Sequence, residues 1–443
     1  MNSVISNDPP LGVCAAERAH SFKQTQLFRK GRFASEIRSI WALSLDAFAG
    51  MKVRSVCHQE SARSAAQIPG MSACPINVEV PAMSADAKND TFTDEVFNYW
   101  IPRLVADGVD ANDIVGVRAK VSDWAGWPEA WAKAGDAHKA FAAERLAAGH
   151  RITAGDALVR SSLCYHVGQV VAFHAPGRKA ELQAMKVAAF REAAPLLTPP
   201  AERIEIAFRG AKLPGYLRLP VGARGPLPCA LLVPGLDSTK EDFITVSEMC
   251  VRRGLASFAF DGPGQGEFRA TMPLAAGYED CIIAAFEMLT KRPEIDARRI
   301  GLLGRSLGGF YVIRAAAANP NIAAAVAFGG TFDLGDWPNM PASIRNGFVF
   351  ATDTKTEEEA KVKMGAATLA DCIDRVRAPV LVVHGRRDAI FKWTQATRVA
   401  GALGKYATLM MDDDGVHCCH NHAFQYRTAI ADWLATTLRA GTY

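Results

Sequence analysis

The chain has 443 residues, of which 49% are hydrophobic and 22% are charged, and its formal net charge at pH 7 is +4. This composition is typical of a soluble globular protein long enough for two domains, or for one large core with a substantial appendage. Nothing in this small net charge argues for a nucleic-acid or polyanion partner, and we expect none. No apolar run approaches the roughly 18 residues of a membrane span, so we also expect no membrane partner.

Ten cysteines are scattered among apolar segments, for example Cys164, Cys229, Cys250 and Cys281. Cysteines used in this way are typical of small buried hydrophobic residues in a reducing compartment rather than of a disulfide framework. We therefore expect a cytoplasmic protein.

Residues 1–84 differ from the rest of the chain, because they are rich in Ser, Arg and Ala and show little periodicity. They predict a poorly ordered N-terminal extension, or translated sequence upstream of a true start at Met83. A signal peptide is the alternative, since an apolar stretch at residues 40–51 contains a small-x-small site. That stretch lies late in the chain and is broken by Asp46, which argues against a signal peptide.

Residues 85–200 are predicted to form an all-helical domain, because apolar residues recur there at helical spacing. Residues 93–95 are expected to cap its first helix. Trp124, Trp127 and Trp131 fall on one stripe of a second helix, and core packing is favoured over substrate binding for them.

A capping pattern at residues 153–156 predicts the start of a long helix that continues to about residue 174. Tyr165 and His166 lie in this helix. Packing is the default interpretation of both side chains, and a place in the lining of a substrate pocket is the alternative.

After residue 200 the hydrophobic period changes to that of strands. Residues 204–208 and 216–219 predict a hairpin. Later apolar runs alternate with helices and therefore predict a parallel sheet with right-handed crossovers; these runs are residues 229–233, 256–260, 300–303, 323–328, 380–383 and 408–411.

Residues 331–377 interrupt the alternation of strands and helices. We interpret them as an insertion above the carboxyl edge of the sheet, where the pockets of open α/β sheets form. Asp333 and Trp337 in this insertion are candidate pocket residues.

A Gly-x-Ser-x-Gly motif occupies residues 304–308, between an apolar strand and a helix-prone run. This order predicts a nucleophile elbow, a turn so tight that side chains larger than hydrogen would collide at the two glycine positions. Ser306 is therefore the candidate nucleophile.

A serine hydroxyl needs a base to take its proton, and an oriented histidine can provide one. In this architecture an acid and then a histidine should follow the serine along the chain. Asp388 comes just after strand 380–383 and His417 comes after strand 408–411, at the sheet edge that presents Ser306. These three residues are the predicted catalytic triad.

Two backbone amides are predicted to bind the oxyanion of a tetrahedral intermediate. Leu307 supplies one at the start of the helix after the elbow, and Leu236 supplies the other from loop 234–237. Gly235 would let that loop approach the substrate. The glycine-rich residues 261–266 lack the Lys-Ser/Thr ending of a phosphate-binding loop and are predicted to form a tight turn.

Three other histidines near the predicted triad are not assigned to catalysis. His384 is expected to pack at the end of its strand, and His420 and His422 are expected to fall on the closing helix and point elsewhere. The run His-Cys-Cys-His-Asn-His at residues 417–422 contains metal-ligand types. Consecutive residues cannot easily aim at one tetrahedral centre, so we predict no metal.

Three segments around these residues resemble the α/β-hydrolase family of 2,6-dihydroxypseudooxynicotine hydrolase, namely residues 304–309, 384–388 and 415–421. That family is related to FrsA-like esterases and to polyketide-shortening fungal hydrolases. The resemblance covers roughly residues 85–440. It implies an α/β-hydrolase fold, with a mostly parallel central sheet flanked by helices, over residues 201–443. It also implies the same serine triad, an N-terminal helical cap that roofs the active site, and a homodimer.

The resemblance further implies an assisting glutamate from the insertion after the sixth strand. No glutamate stands in residues 333–340, where Asp333 and Asp336 are the nearest acids. This departure puts cleavage of a carbon–carbon bond, and the particular substrate, in question.

The sequence thus favours a serine hydrolase that needs no cofactor and acts on a small carbonyl substrate, with cleavage of a carbon–carbon bond beside a ketone as the leading hypothesis. A carboxylesterase, amidase or peptidase of the same fold is the alternative. A non-catalytic binding protein that retains the fold is the third hypothesis.

Overall fold

The computed structural model describes residues 100–121, 123–365 and 367–440. The predicted extension at residues 1–84, its signal-peptide alternative and the predicted cap at residues 93–95 lie outside these residues.

Helices occupy the described chain up to the first strand. They are α1 (100–107), α2 (Ala111–Arg118), α3 (Trp127–Ala147), α4 (Arg151–Val170) and α5 (Pro176–Ala193). We call these five helices the helical layer.

The start of α4 corrects one prediction. The helix begins at Arg151 and ends at Val170, so Thr153 lies within its first turn and is not the cap. Gly149 explains the earlier start, because its left-handed φ of +82° lets the chain turn sharply from α3 into α4.

The tryptophan stripe packs in the core of the helical layer. Trp127 and Trp131 are buried, with ring centres 5.9 Å apart, and the Trp124 ring lies 5.4 Å from that of Trp127. The Trp127 indole N–H donates to the carbonyl of Val167 on α4 at 2.9 Å. The prediction of core packing is therefore confirmed for this stripe.

Eight strands of the described chain form one sheet in the order β1-β2-β4-β3-β5-β6-β7-β8. The first two strands are antiparallel, and β3 to β8 run parallel, which confirms the predicted mostly parallel sheet. The strands are β1 (Ala201–Phe208), β2 (Ala211–Arg218), β3 (Leu227–Val233), β4 (Ala256–Phe260), β5 (Ile295–Arg305), β6 (Ala324–Phe328), β7 (Val380–Gly385) and β8 (Ala407–Asp412).

Helices cover both faces of the sheet, so the central strands are apolar on both sides. In β3, Leu231 and Val233 belong to one buried cluster, whereas Ala230 and Leu232 belong to another. The helices are α6 (Ile244–Val251), α7 (Glu279–Thr290), α8 (Leu307–Ala318), α9 (Ala342–Thr352), α10 (Glu357–Met364), α11 (Trp393–Leu403) and α12 (Ala423–Ala440). No helix in the described ranges is both long and apolar enough to cross a membrane.

The interruption between β6 and β7 contains α9 and the acidic helix α10. The α10 helix begins after Thr356, whose hydroxyl accepts the N–H of Glu359 at 3.2 Å. Ile344 and Phe348 of α9 reach the cavity beside Ser306. This segment therefore contributes directly to the candidate site.

Candidate active site

Ser306 stands at the turn between β5 and α8, in a backbone conformation with φ +57° and ψ −126°. A Cβ atom at Gly304 would lie 2.1 Å from the carbonyl oxygen of Gly308. One at Gly308 would lie 2.3 Å from the carbonyl oxygen of Val233. The predicted steric need for both glycines is confirmed.

The histidine and the acid predicted from strand order meet this serine. The Nε2 atom of His417 lies 2.8 Å from Ser306 Oγ, and its Nδ1 atom lies 2.7 Å from Asp388 Oδ2. The other carboxylate oxygen of Asp388 accepts the N–H groups of Ile390 and Phe391 at 2.8 and 2.9 Å. The structure thus brings the three side chains into one hydrogen-bonded chain.

The charge on Asp388 sets the electrostatics of this chain. Burial favours the neutral carboxyl, but the neighbouring His417 outweighs it and lowers the pKa of Asp388. Burial also disfavours the imidazolium, and Asp388 outweighs that effect and raises the pKa of His417 to about 10. The pair therefore favours a carboxylate beside an imidazolium.

His417 is carried by a short 3₁₀ segment, His417–His422, that precedes α12. Cys418 and Cys419 have φ values of +51° and +45°, so the chain turns sharply just after His417. This geometry corrects the prediction that His420 and His422 fall on the closing helix.

The other side chains of this region have separate partners. Cys418 Sγ lies 3.4 Å from the carbonyl of Phe328, and His422 Nδ1 lies 2.7 Å from Asp412. His420 Nδ1 lies 3.1 Å from the Arg427 guanidinium. His384 Nε2 lies 2.8 Å from the carbonyl of Phe391, in agreement with packing at its strand end.

The loop after β3 reaches the serine as expected. Leu236 and Leu307, the predicted oxyanion donors, both line the cavity beside Ser306. A Cβ atom at Gly235 would lie 2.8 Å from the carbonyl of Arg305 and 3.0 Å from Ser306 Cβ. Only glycine therefore lets this loop lie against the elbow.

Gln265 holds the loop after β3 in place through hydrogen bonds, a role that was not predicted from the sequence. Its amide nitrogen donates to the carbonyls of Gly235 at 2.6 Å and Pro234 at 3.1 Å. Its amide oxygen accepts from Gly262 N–H and from the Tyr278 hydroxyl. The glycine-rich run around Gln265 was the available signal, since such turns allow close approach of neighbouring loops.

The cavity at Ser306 has polar and apolar walls that come from both the helical layer and the sheet. Besides Ser306, Leu236 and Leu307, its lining residues are Trp100, Arg103, Asp237, Ser238, Arg305, Ile344, Phe348, Ile390, Phe391, Val416, His417, Cys418 and His420.

The four predicted pocket residues are not among those that line it. Tyr165 is buried within the helical layer, where its hydroxyl lies 2.6 Å from Asp136. His166 Nε2 lies 3.4 Å from Asp242, behind the cavity wall. Both side chains therefore pack in the core, as the default interpretation expected, and the alternative of a place in the pocket lining is wrong for both residues.

The two candidates from the insertion are corrected in the same way. Asp333 forms an ion pair with Arg398 at 2.8 Å. Trp337 is buried, with its ring centre 4.9 Å from that of Phe348, so it supports a lining residue from behind.

A second cavity, of about 720 Å³, adjoins the first at Leu236–Ser238. It lies between α5 and the loops at residues 264–270. Phe173 and Phe350, whose ring centres are 6.0 Å apart, form part of its apolar wall. The site at Ser306 therefore shares part of its wall with a larger, mainly apolar cavity.

Buried charges connect the helical layer to this site. Asp107 of α1 accepts hydrogen bonds from Arg305 and Arg427 at 2.7 Å each, and Arg103 lies 3.3 Å from its other oxygen. Burial alone would raise the pKa of Asp107, but the three guanidinium groups, led by Arg305, hold that pKa far below its usual range. No sequence signal predicts this cluster, since its members lie far apart along the chain.

One group of metal-ligand types is found in the described part of the chain. Asp113, His138 and Cys164 place one ligand atom each within 4.8 Å of one another, in the helical layer. His138 Nε2 already lies 2.6 Å from Asp113, and burial raises the pKa of the Cys164 thiol. None of the three lines the cavity at Ser306.

Two protein families match the sequence. The Esterase FrsA-like family matches residues 111–333, and the prolyl oligopeptidase family matches residues 243–440.

Proteins named as hydrolases are similar to this chain over more than half of its length. A 2,6-dihydropseudooxynicotine hydrolase from Paenarthrobacter nicotinovorans is 35% identical over 79% of this chain and 94% of its own length. Alpha/beta hydrolase psoB from Aspergillus fumigatus is 30% identical over 58% of this chain and 64% of its own length. The crystal structure of a 2,6-dihydroxy-pseudo-oxynicotine hydrolase matches with a TM-score of 0.72 and 34% identity, over 77% of this chain and 96% of that one.

Proposed function

Because this chain belongs to the FrsA-like family of α/β-hydrolases, which are serine hydrolases, we propose that Ser306, His417 and Asp388 are its catalytic triad. One observation carries the proposal: His417 lies between the other two, 2.8 Å from the serine oxygen and 2.7 Å from the carboxylate. The reacting form is the neutral ring, in which the carboxylate holds the single proton on Nδ1 and leaves Nε2 free to accept the proton of the serine.

The first chemical step forms the bond between Ser306 Oγ and the substrate carbonyl carbon. The hydroxyl proton passes to His417 Nε2, and the carbonyl electron pair moves onto the carbonyl oxygen. We propose that the backbone N–H groups of Leu236 and Leu307, two residues that line the cavity, donate to that oxyanion. Asp388 stabilises the imidazolium that forms.

The second step breaks the bond between the carbonyl carbon and the leaving group. The electron pair of that bond leaves with the departing fragment, which takes a proton from His417. Water then loses a proton to His417 and attacks the acyl group on Ser306, and the serine leaves with that proton. The two steps together consume one water molecule and regenerate the free enzyme.

For the substrate, we propose a small aromatic or heteroaromatic ketone that is cleaved at a carbon–carbon bond. The relative named 2,6-dihydropseudooxynicotine hydrolase supports this class. Aromatic side chains near the site, among them Phe348 and Phe391, support an aromatic substrate. Asp333 and Asp336 are paired with Arg398 and Lys392, so neither substitutes for the glutamate that the resemblance implies.

A carboxylesterase, amidase or peptidase is the second candidate, favoured by the match of residues 243–440 to the prolyl oligopeptidase family. The chemistry at Ser306 is the same for both candidates, and only the leaving group differs. Comparison of kcat/KM on activated aryl esters, anilides and β-diketones separates them.

Covalent labelling of the folded protein by a fluorophosphonate tests the triad itself. We expect one label per chain, located at Ser306 by peptide mapping, and loss of label in Ser306→Ala and His417→Ala. Circular dichroism of the two variants controls for folding. Absence of label in the folded wild-type protein would instead support the non-catalytic binding protein.

We also propose that residues 85–200 act as a cap over the site. Trp100 and Arg103 of α1 line the cavity at Ser306, and α5 lines the second cavity. Both contributions support entry of the substrate between the cap and the sheet.

A homodimer formed through the cap is a further proposal. Large apolar side chains are exposed on the helical layer, with exposed fractions of 69% for Val115 and 68% for Ile152. Sedimentation equilibrium of the full chain, compared with Val115→Glu and Ile152→Glu, tests it.

We place the enzyme in the cytoplasm, which the seven free, buried cysteines of the described chain support.

A further inference from the structure

His420 is the second histidine in the wall of the cavity at Ser306. It lies three residues after His417 in the 3₁₀ segment, with the two ring centres 6.3 Å apart. Its side chain is almost entirely buried and lines the same cavity as the serine. The proposed triad does not use it.

The Arg427 guanidinium fixes the tautomer of this ring. Arg427 Nη2 lies 3.1 Å from His420 Nδ1, and a guanidinium can only donate hydrogen bonds. The Nδ1 atom must therefore accept, so the single proton of the neutral ring resides on Nε2. Asp107 and the carbonyl of Ala106 hold Arg427 itself, each at 2.7 Å.

The same surroundings keep the ring neutral. Burial lowers the pKa of His420 well below its usual value, and the positive charges of Arg427, Arg305 and Arg103 lower it further. The carboxylate of Asp107 opposes this effect without overcoming it. His420 therefore offers an N–H donor without a net charge.

Other polar side chains of the cavity wall already bond one another. Arg103 donates to Asp237 at 2.8 Å, and Arg305 donates to Ser238 at 2.9 Å. Among the described residues, no hydrogen bond to His420 Nε2 is found, and this atom lies on the side of the ring away from Arg427. A donor is thus available to a ligand at a place separate from the amides of Leu236 and Leu307.

We propose that His420 is a substrate-binding residue, whose Nε2–H donates a hydrogen bond to a second oxygen of the substrate, the β-carbonyl oxygen of a 1,3-diketone. The proposal rests on the proposed function, because it concerns the same reaction at Ser306. It narrows the substrate from any small carbonyl compound to one with a second oxygen conjugated to the leaving carbon.

The second oxygen matters because of where the electrons go. When the carbon–carbon bond of the 1,3-diketone breaks, its electron pair stays on the leaving carbon and delocalises onto the conjugated oxygen as an enolate. A neutral donor aimed at that oxygen bonds more strongly as negative charge develops. The fragment then takes a proton from the His417 imidazolium, so His420 neither gains nor loses one. An ester has no such requirement, since its leaving oxygen carries the charge.

Two variants of similar size separate the two ring nitrogens. In His420→Asn the side-chain oxygen can accept from Arg427, but no donor reaches the cavity. In His420→Gln the amide nitrogen can replace Nε2–H. His422→Gln, in the same segment but paired with Asp412, is the matched control. Benzoylacetone serves as the 1,3-diketone and phenyl acetate as the ester that lacks a second conjugated oxygen.

We expect His420→Asn to lower kcat/KM for benzoylacetone about tenfold to hundredfold, because a hydrogen bond to a charged group is lost. The same variant should change kcat/KM for phenyl acetate less than about threefold. His420→Gln should recover most of the activity on the diketone, and His422→Gln should match the wild type on both substrates.

An equal fall on both substrates in His420→Asn, or no recovery in His420→Gln, would overturn the proposal. So would turnover of the ester but not of the diketone by the wild-type enzyme. Fluorophosphonate labelling of Ser306 at the wild-type rate shows that a variant keeps its site. If His420→Asn does not label, His420→Gln alone decides, because loss of diketone activity in a normally labelled Gln variant contradicts the proposal. Failure of the proposed function differs from all these outcomes, since Ser306 of the wild type would then not label.

Discussion

Asp107, at the end of α1, accepts a hydrogen bond of 2.7 Å from the guanidinium of Arg305, the residue that directly precedes Ser306. The two residues are 198 positions apart along the chain. The same carboxylate oxygen accepts from Arg427 of α12, which holds His420. One acid of the helical layer thus connects the serine turn to the segment that carries the histidines.

Replacing this acid should destabilise the fold strongly. In Asp107→Asn the neutral amide removes the carboxylate that three buried guanidinium groups share, and with it the acid paired with Arg427. We expect the free energy of unfolding in urea to fall by about 3–5 kcal/mol. Asp280→Asn removes the acid of an exposed pair with Arg209 and should cost less than about 1 kcal/mol. Equal effects of the two substitutions would show that the buried cluster contributes no more to the free energy of unfolding than an exposed ion pair does.

The cluster also predicts how stability changes in acid. Because the pKa of Asp107 is lowered in the folded state, its contribution is fully present above the pKa of the unfolded chain, about 4, and is lost as the pH falls below it. The unfolding free energy of the wild type should therefore decrease from pH 5 toward pH 2 more steeply than that of Asp107→Asn. Parallel curves, measured by urea titration at each pH, would contradict this assignment.

The pH dependence of catalysis should reflect the charge of Asp388. Only neutral His417 can take the serine proton, so kcat/KM should rise with pH through the His417 pKa of about 10. Asp388→Asn removes the negative charge. The rise should then move to lower pH, while the maximal kcat falls roughly ten-thousandfold. The control is Asp413→Asn, an exposed acid paired with Arg386, whose profile should be that of the wild type. If kcat/KM of Asp388→Asn rose over the same pH range as that of the wild type, the charge of Asp388 would not set the pKa of His417.

The serine turn should tolerate no side chain at Gly304. In Gly304→Ala the new Cβ would lie 2.1 Å from a backbone oxygen that cannot move without breaking the turn, so we expect a loss of more than about 3 kcal/mol of stability. Gly401→Ala is the matched control. Its Cβ would meet nothing within 4 Å on α11, and it should stabilise by about 0.5–1 kcal/mol. Thermal unfolding of both proteins checks the contrast, and a normal melting temperature for Gly304→Ala would refute the steric argument.

Gln265 should affect the rate more than the binding of substrate. Gln265→Leu removes the donor that holds the carbonyls of Gly235 and Pro234, and with them the loop that presents Leu236. We expect kcat for phenyl acetate to fall about tenfold to hundredfold with little change in KM, because the oxyanion binds only in the transition state. Tyr278→Phe removes a bond to the other end of the same amide and should have a smaller effect. A rise in KM at constant kcat would assign Gln265 to substrate binding instead.

Much of the fold could be predicted because it depends on local patterns. Continuous apolar runs specify strands buried on both faces, and their alternation with helices specifies a parallel sheet. The order of Ser306, Asp388 and His417 followed from the same pattern, since the carboxyl ends of parallel strands share one edge. The bounds of α4 were missed because Gly149 allows a turn that a capping pattern does not reveal.

The lining of the cavity was beyond this reasoning. Tyr165, His166, Asp333 and Trp337 have side chains suited to a pocket. Tyr165, His166 and Trp337 are instead buried in the core, and Asp333 is paired with Arg398 outside the lining of the cavity. Gln265 was hidden in a run that predicted only a turn.

The sequence by itself therefore determined the sheet, the serine turn and the order of the three residues that meet at its edge, because period, glycine placement and strand order act locally or repeat along the chain. Only the tertiary structure decided that Asp107 neutralises Arg305 and Arg427, and that Arg427 in turn sets the tautomer of His420. The two contacts of Asp107 join residues 198 and 320 positions apart, and the free energy of a buried charge depends on which partners surround it after folding.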